Sequence, residues 1–173
     1  MTADVRLQIV TMLPRLRRFA LSLAGARDQA DDLVQGTCER ALRSIEQWTP
    51  GTRLDSWMYR IMRNHWIDEH RKAAPMRRTD GLELIVNRAG EDGRQTTEVR
   101  MTLGAVERAM IDLPEEYRSV LYLVCIEDLS YKEAAAVLDI PIGTVMSRLS
   151  RARKAVAEAV GLLDDGRVGT LNA

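Results

Sequence analysis

The chain has 173 residues, and its 25 basic and 25 acidic side chains give a net charge of zero. Apolar residues make up 46% and charged residues 29%, which is typical of a soluble globular protein and argues against a disordered or membrane-spanning chain. Aromatic residues are only 5%, whereas Ala, Leu, Arg and Glu are abundant, so we expect an all-α fold.

The N-terminal segment imitates a secretory signal peptide, with basic, apolar and small residues in RLRRFALSLAGA. Its apolar run from Phe19 to Ala24 is too short for the core of a signal, and charged residues follow at once. We therefore predict an amphipathic helix whose apolar residues repeat at helical spacing: Leu13, Leu16, Ala20 and Leu23. No stretch of the sequence approaches the ~20 apolar residues that cross a bilayer.

Two further helices are predicted in the N-terminal part. Asp28 is a candidate N-cap, and apolar residues then recur every three or four positions as far as Ile45, which predicts one helix. WTPGTR breaks this pattern, and a second helix is predicted from Leu54 to Lys72. The sequence AAP ends that helix, because the residue before a proline is pushed out of the helical region.

The order of these patterns predicts two small helical domains, an N-terminal helical bundle and a C-terminal helix-turn-helix domain. The first occupies residues 1–75 and the second residues 99–163, with a flexible tail at 164–173. Residues 76–98 contain three glycines, mixed charge and one apolar island, LELIV, and we interpret them as a flexible linker.

A helix-turn-helix is predicted near the C-terminus. Ser130 is followed three residues later by Glu133, which is a capping box, so a helix begins at Tyr131. Another helical pattern, Tyr117 to Ile126, precedes it. After a tight turn the next helix begins near Ile142, and two short helices joined in this way form the motif.

The second helix of this motif is unusually basic. Residues 141–156 hold four cations and no acid, although an ordinary surface helix would usually pair basic with acidic side chains. With Val145 and Leu149 turned inward, an outward strip consists of Thr144, Ser147, Arg148 and Arg151, flanked by Met146 and Ser150. Arginine can bond guanine O6 and N7 together while hydroxyls hold phosphates, so the strip suits a DNA-reading helix. A bundle helix with a cationic surface is the alternative.

Charge is unevenly distributed along the chain. Residues 53–78 carry seven cations and three acids, residues 79–99 have a net charge of −3, and residues 141–156 have a net charge of +4. Two basic patches suggest two contacts with a polyanion. On charge alone, ordinary solvated helix faces explain the pattern equally well.

Three blocks, in this order and at these separations, resemble bacterial extracytoplasmic-function (ECF) sigma factors of RNA polymerase. They are ADDLVQGTCERALR (30–43), LDSWMYRIMRNHWIDEHRK (54–72) and LPEEYRSVLYLVCIEDLSYKEAAAVLDIPIGTVMSRLSRARKAV (113–156). The resemblance implies a promoter-specificity subunit with core RNA polymerase and promoter DNA as partners. In that family the N-terminal domain binds the polymerase clamp helices and opens the −10 element, whereas the C-terminal domain reads the −35 element.

The resemblance also implies roles for individual residues. The polymerase-binding residues are Asp31, Asp32, Leu33 and Gln35. The residues facing the −10 element are Arg60, Arg63, Asn64, Trp66, His70, Arg71 and Lys72. The residues facing the −35 element are Thr144, Met146, Ser147, Arg148, Ser150 and Arg151. From the sequence, Trp57 is interpreted as a core residue, and Trp66 fits the core or the DNA surface equally well.

Three positions depart from the family pattern. Gly36 stands where the family usually has Glu, which removes a charge and costs roughly 1 kcal/mol of helix propensity. Cys38 replaces what is often a larger apolar residue. Met146 stands where a cation is common, so it should alter −35 preference or remove a phosphate contact.

Residues that carry catalytic chemistry are sparse. Cys38 and Cys125 form no C-x-x-C pair and suit a reducing compartment, so we expect a cytoplasmic protein. His65 and His70 are five residues apart, off one helical face, which argues against a metal pair. No nucleophile–base set or phosphate-binding glycine loop is present, and we expect no enzyme activity, no cofactor and no metal.

Two other functions compete with the sigma-factor hypothesis. A stand-alone helix-turn-helix repressor or activator explains residues 130–156 but leaves residues 54–72 without a role. A hydrolase acting on nucleic acid lacks a metal-ligand cluster. The linker and the exposed binding faces, together with the resemblance, further predict that an anti-sigma factor holds the two domains in a closed arrangement.

Overall fold

The computed structural model describes residues 2–73, 105–106 and 108–161, and the regular structure in these ranges is entirely helical, which confirms the all-α expectation. The proposed linker at 76–98 and the tail at 164–173 lie outside the described residues. The α-helices with described bounds are α1 (Thr2–Ala24), α2 (Arg27–Arg43), α3 (Leu54–Ala73), α4 (Glu115–Leu121), α5 (Tyr131–Leu138) and α6 (Ile142–Ala159). A short 3-10 helix, Ile45–Gln47, follows α2.

The first three helices pack on one another through apolar faces. The buried face of α1 includes Leu16, Ala20 and Leu23 as expected, but Leu13 is 37% exposed and lies at the edge of that face. The prediction that Asp28 caps α2 is wrong. The N-cap residue is Ala26, and Asp28 lies in the first helical turn, where its carboxylate interacts favourably with the helix dipole.

The helix-turn-helix forms as the sequence predicts. The Ser130 hydroxyl accepts a hydrogen bond from the Glu133 backbone N–H at 3.2 Å, and the Glu133 carboxylate accepts one from the Ser130 N–H at 2.8 Å. Asp139 ends α5 in the left-handed conformation, at φ 51°, which Asp tolerates better than most residues. α6 begins at Ile142 and packs against α4 and α5.

The segment predicted as one helix from Tyr117 to Ile126 is divided. α4 ends at Leu121 and a π-helical turn follows over Tyr122–Ile126, closed by a bond from the Glu127 N–H to the Tyr122 carbonyl at 3.1 Å. Such turns insert a residue into a helix and change the direction of the next side chains. Here the turn precedes Glu127, which is buried against the N-terminal helices.

The residues of both predicted domains share one hydrophobic core. Phe19 of α1 lies at their boundary, with its ring 5.0 Å from Tyr59 of α3 in an edge-on contact and 5.6 Å from Tyr122 in a stacked contact. α3 also packs against α5. The two predicted domains therefore pack against each other in a closed arrangement.

Candidate functional site

The strip proposed to read the −35 element lies on α6. Val145 and Leu149 are buried at 0% and 2% exposure, so the opposite side of the helix faces outward. Met146 is 53% exposed. Ser147, Ser150 and Arg151 are also exposed, whereas Thr144 and Arg148 are half-buried. The structure therefore brings these six residues to one helix, with the Ser147 hydroxyl bonded to the Thr144 carbonyl at 3.1 Å.

The cations of α6 differ in their partners. Among the described residues, no carboxylate lies within 4.0 Å of Arg148 or Arg151, and Arg151 reaches only the Tyr117 hydroxyl, at 3.5 Å. By contrast, Lys154 is 3.7 Å from Glu158, and Arg153 contacts the Cys125 sulfur at 3.6 Å. Arg148 and Arg151 are thus the α6 arginines available to phosphates or base edges.

The residues proposed to face the −10 element lie along α3. Arg60 and Asn64 are exposed. Arg71 and Lys72 belong to the last turn of the helix, and the structure does not describe their side chains. The remaining three are Arg63, Trp66 and His70.

Trp66 is part of the core in this structure. It is 8% exposed, and its ring centroid lies 3.6 Å from that of His70. The half-buried His70 places Nδ1 3.2 Å from the Trp66 carbonyl oxygen. Trp57 is half-buried and packs against the core, as expected.

Arg63, a residue of the proposed −10 surface, lies near Arg148 of the proposed −35 surface. Its side chain is half-buried, and its Nη1 atom is buried without a hydrogen-bond partner. Burial lowers the pKa of the Arg63 guanidinium, and the nearby positive charge of Arg148 acts in the same direction, while Glu115 and Asp139 oppose it. Arg63 of the proposed −10 surface is thus near enough to Arg148 of the proposed −35 surface for that charge to affect its pKa.

The candidate polymerase-binding residues are divided between the surface and the core. Asp31, Asp32 and Gln35 are exposed on α2, with Asp31 paired to Arg17 at 2.5 Å. This exposed pair contributes at most about 1 kcal/mol, so a partner can displace it. Leu33 is only 4% exposed and belongs to the core, so its side chain is unavailable to a partner in this conformation.

The unusual Gly36 has a packing role that the sequence did not reveal. A Cβ atom at this position would overlap the Cε1 atom of His65 on α3. Gly36 therefore allows α2 and α3 to approach closely at the half-buried His65 ring. No signal in one sequence pairs these residues, because they are brought together by tertiary packing.

We expect Gly36→Ala to destabilise the protein although alanine favours helix by roughly 1 kcal/mol. Overpacking against His65 costs typically 1–3 kcal/mol, which makes the expected net loss about 1 kcal/mol. Urea unfolding of Gly36→Ala, His65→Ala and the double variant measures their coupling. Additive losses would show that the His65 ring does not determine the effect.

A buried polar network at the boundary between the two domains was also missed by sequence reasoning. Glu127 is 5% exposed and accepts hydrogen bonds from the hydroxyls of Tyr59 and Tyr122 and from the Arg15 guanidinium, the last at 2.7 Å. Burial by itself would raise the pKa of Glu127, but hydrogen bonds from Tyr59, Tyr122 and Arg15 outweigh it and hold the pKa below its ordinary value. The carboxylate is therefore charged and paired.

Two other contacts join the domains. Arg118, 8% exposed, donates from Nε to the Ser22 carbonyl at 2.5 Å. Ser22 lies in the last turn of α1, where carbonyls lack helical partners and a cation complements the dipole. Near the surface, Arg53 bonds Asp55 at 2.8 Å and Glu133 at 3.3 Å.

Comparison with known proteins identifies the family. Residues 9–75 match the model of sigma-70 region 2, and residues 103–156 match that of sigma-70 region 4. The ECF RNA polymerase sigma factor EcfG of Rhodopseudomonas palustris is 35% identical over 156 residues, which cover 88% of this chain and 83% of EcfG. The chain belongs to the ECF sigma factor family. This membership does not favour the alternative of a stand-alone helix-turn-helix repressor.

Another ECF sigma factor and two solved structures are also similar to this chain over most of their length. SigW of Bacillus subtilis is 28% identical over 152 residues, which cover 82% of this chain and 81% of SigW. The sigma factor RpoE of Bartonella quintana, solved in complex with the anti-sigma factor NepR, gives a TM-score of 0.76 at 28% identity, covering 92% of this chain and 98% of that one. CnrH, solved with the cytosolic domain of CnrY, gives 0.58 at 26% identity, covering 91% and 85%.

Within the described ranges of this ECF sigma factor, no helix is both long enough and apolar enough to span a bilayer.

Proposed function

We propose that this cytoplasmic ECF sigma factor binds core RNA polymerase and directs initiation at promoters through separate −10 and −35 contacts. The observation that carries the proposal is the strip on α6, where Arg148 and Arg151 have no carboxylate within 4.0 Å among the described residues. A helix with such a strip fits the major groove of a closed duplex and can read base edges there.

The −10 contact is assigned to α3. The exposed Arg60 and Asn64 suit the backbone of a melted strand. Arg71 and Lys72 follow them in the sequence at the end of the helix. Trp66 and His70 support the helix in the closed conformation through their ring contact. Their use as a platform for an unstacked base would require them to become more exposed.

The polymerase contact is assigned to α2, whose exposed polar face carries Asp31, Asp32 and Gln35. Leu33 serves this surface by anchoring α2 in the core. We also propose control by an anti-sigma factor, because RpoE of Bartonella quintana was solved in complex with the anti-sigma factor NepR.

Run-off transcription with purified core polymerase tests the proposal. We expect the chain to direct initiation from a subset of promoters in a genomic fragment library, and core polymerase alone to give no specific product. Scrambling the −35 element of a responding promoter should remove most of the signal. Tight binding to a duplex operator without polymerase, combined with no initiation from any promoter, would contradict the proposal.

A further inference from the structure

We propose that Glu127 forms an interdomain latch that keeps the free chain closed, so that the protein restrains its own promoter binding before any partner acts. This inference rests on the proposed sigma-factor function. The latch consists of Glu127 and the three side chains that donate hydrogen bonds to it: Arg15, Tyr59 and Tyr122.

The latch joins three separate parts of the chain. Arg15 belongs to α1 and Tyr59 to α3, whereas Tyr122 and Glu127 flank the π-helical turn of the C-terminal domain. The Arg15 Nη2 atom lies 2.6 Å from the Glu127 carboxylate. A buried carboxylate with three donors requires all of them in place, because a partly satisfied polar network is costly. The interaction therefore exists in the closed arrangement and is lost as a unit when the domains separate.

The closed chain is too small to reach both promoter elements. A compact chain of this length has a radius of gyration of about 16 Å, which corresponds to a body about 40 Å across. The names of the elements place them about 25 base pairs apart, or roughly 85 Å of duplex at 3.4 Å per base pair. Simultaneous contact with both elements therefore requires the domains to separate.

The closed arrangement also leaves one buried donor of Arg63 unsatisfied. Burial lowers the pKa of Arg63, and the positive charge of Arg148 from the proposed −35 strip acts in the same direction. The Arg63 Nη1 atom is buried without a hydrogen-bond partner. Separation of the domains would let this nitrogen bond water or phosphate. The latch thus stabilises a closed state in which this donor stays unsatisfied.

A ligand that binds only the open state has its apparent affinity reduced by the fraction of chains that are open. Weakening the latch should therefore tighten binding to core polymerase, although it removes stabilising contacts. Glu127→Gln keeps the size of the side chain and removes its charge. Arg15 can then turn to solvent while keeping its contact with Asp55, because its side chain is 36% exposed.

The experiment compares the full-length wild type with Glu127→Gln and Tyr122→Phe. Glu116→Gln is the matched control, because it removes an exposed carboxylate from α4 of the same domain. We expect Glu127→Gln to increase the radius of gyration in X-ray scattering and to bind core polymerase roughly five- to tenfold more tightly in fluorescence anisotropy. Tyr122→Phe removes one hydroxyl and should shift both quantities in the same direction by less.

The outcomes separate the latch from a purely structural role. If Glu127 only stabilised the fold, Glu127→Gln would lose helicity in circular dichroism and bind polymerase more weakly. Unchanged scattering and unchanged affinity in both variants, with Glu116→Gln as reference, would also overturn the latch. An increased radius of gyration in a chain that never supports transcription would preserve the latch and contradict the proposed function instead.

Discussion

Replacing Arg148 or Arg151 by alanine is expected to weaken recognition of the −35 element by about 1–3 kcal/mol for each side chain, if each makes a bidentate base contact. That is roughly a five- to 150-fold loss of initiation at a promoter that depends on its −35 element. Both arginines lie on the outward side of α6 without a carboxylate within 4.0 Å in the described part of the chain. Their loss should therefore leave the fold intact.

Arg153→Ala is the matched control for these variants. It removes the same charge from the same helix, but Arg153 contacts the Cys125 sulfur rather than the outward strip. Run-off transcription from a −35-dependent promoter should fall with Arg148→Ala and Arg151→Ala and remain near wild type with Arg153→Ala. Wild-type activity in all three variants would show that the strip does not read the duplex. Equal losses would indicate a general electrostatic effect.

The features that local sequence determines were predicted well. The capping box of Ser130 and Glu133 depends on residues three apart, and the start of α6 depends on the turn before it. The orientation of Arg148 and Arg151 follows from the helical period once Val145 is known to face inward. These predictions needed no information on how distant segments pack.

The features that were missed all depend on tertiary contacts. From the sequence, Gly36 only lowers the helix propensity of α2. Its packing role depends on the ring of His65, which lies against it in the folded chain. From the sequence alone, Glu127 looks like an ordinary surface acid. Its burial is not predicted, because the hydroxyls that surround it come from Tyr59 and from Tyr122 across a π-helical turn. Periodicity does not predict such turns, since the flanking residues are as apolar as those of an ordinary helix.

The packing of the two domains on each other also explains why the site residues differ in accessibility. In an open chain Arg63 would be expected to be as exposed as Arg60, and both were assigned to the same surface from the sequence. Burial of one Arg63 nitrogen is consistent with the packing of α5 against α3. The sequence predicts which residues could bind DNA, whereas the domain arrangement decides which of them are accessible at a given time.

Arg118→Met is expected to lower the free energy of unfolding by about 3 kcal/mol. The guanidinium donates to three carbonyls, those of Ser22, Ile111 and Leu113, the last two at 2.8 and 3.3 Å. Each buried acceptor left without a donor costs about 1–3 kcal/mol, and methionine fills the space without replacing any hydrogen bond. Burial lowers the pKa of Arg118, but the three carbonyl acceptors are arranged around the charged, planar guanidinium group.

Arg118→Lys separates the effect of the charge from that of the donor geometry, because an ammonium keeps the charge but cannot reproduce the planar arrangement of donors. We expect a loss intermediate between wild type and Arg118→Met in urea unfolding, and little change with the exposed Arg60→Met as control. A loss below about 1 kcal/mol for Arg118→Met would mean that water satisfies these carbonyls. Since Ile111 and Leu113 belong to the C-terminal domain and Ser22 to α1, the variant should destabilise that domain and also loosen its contact with α1.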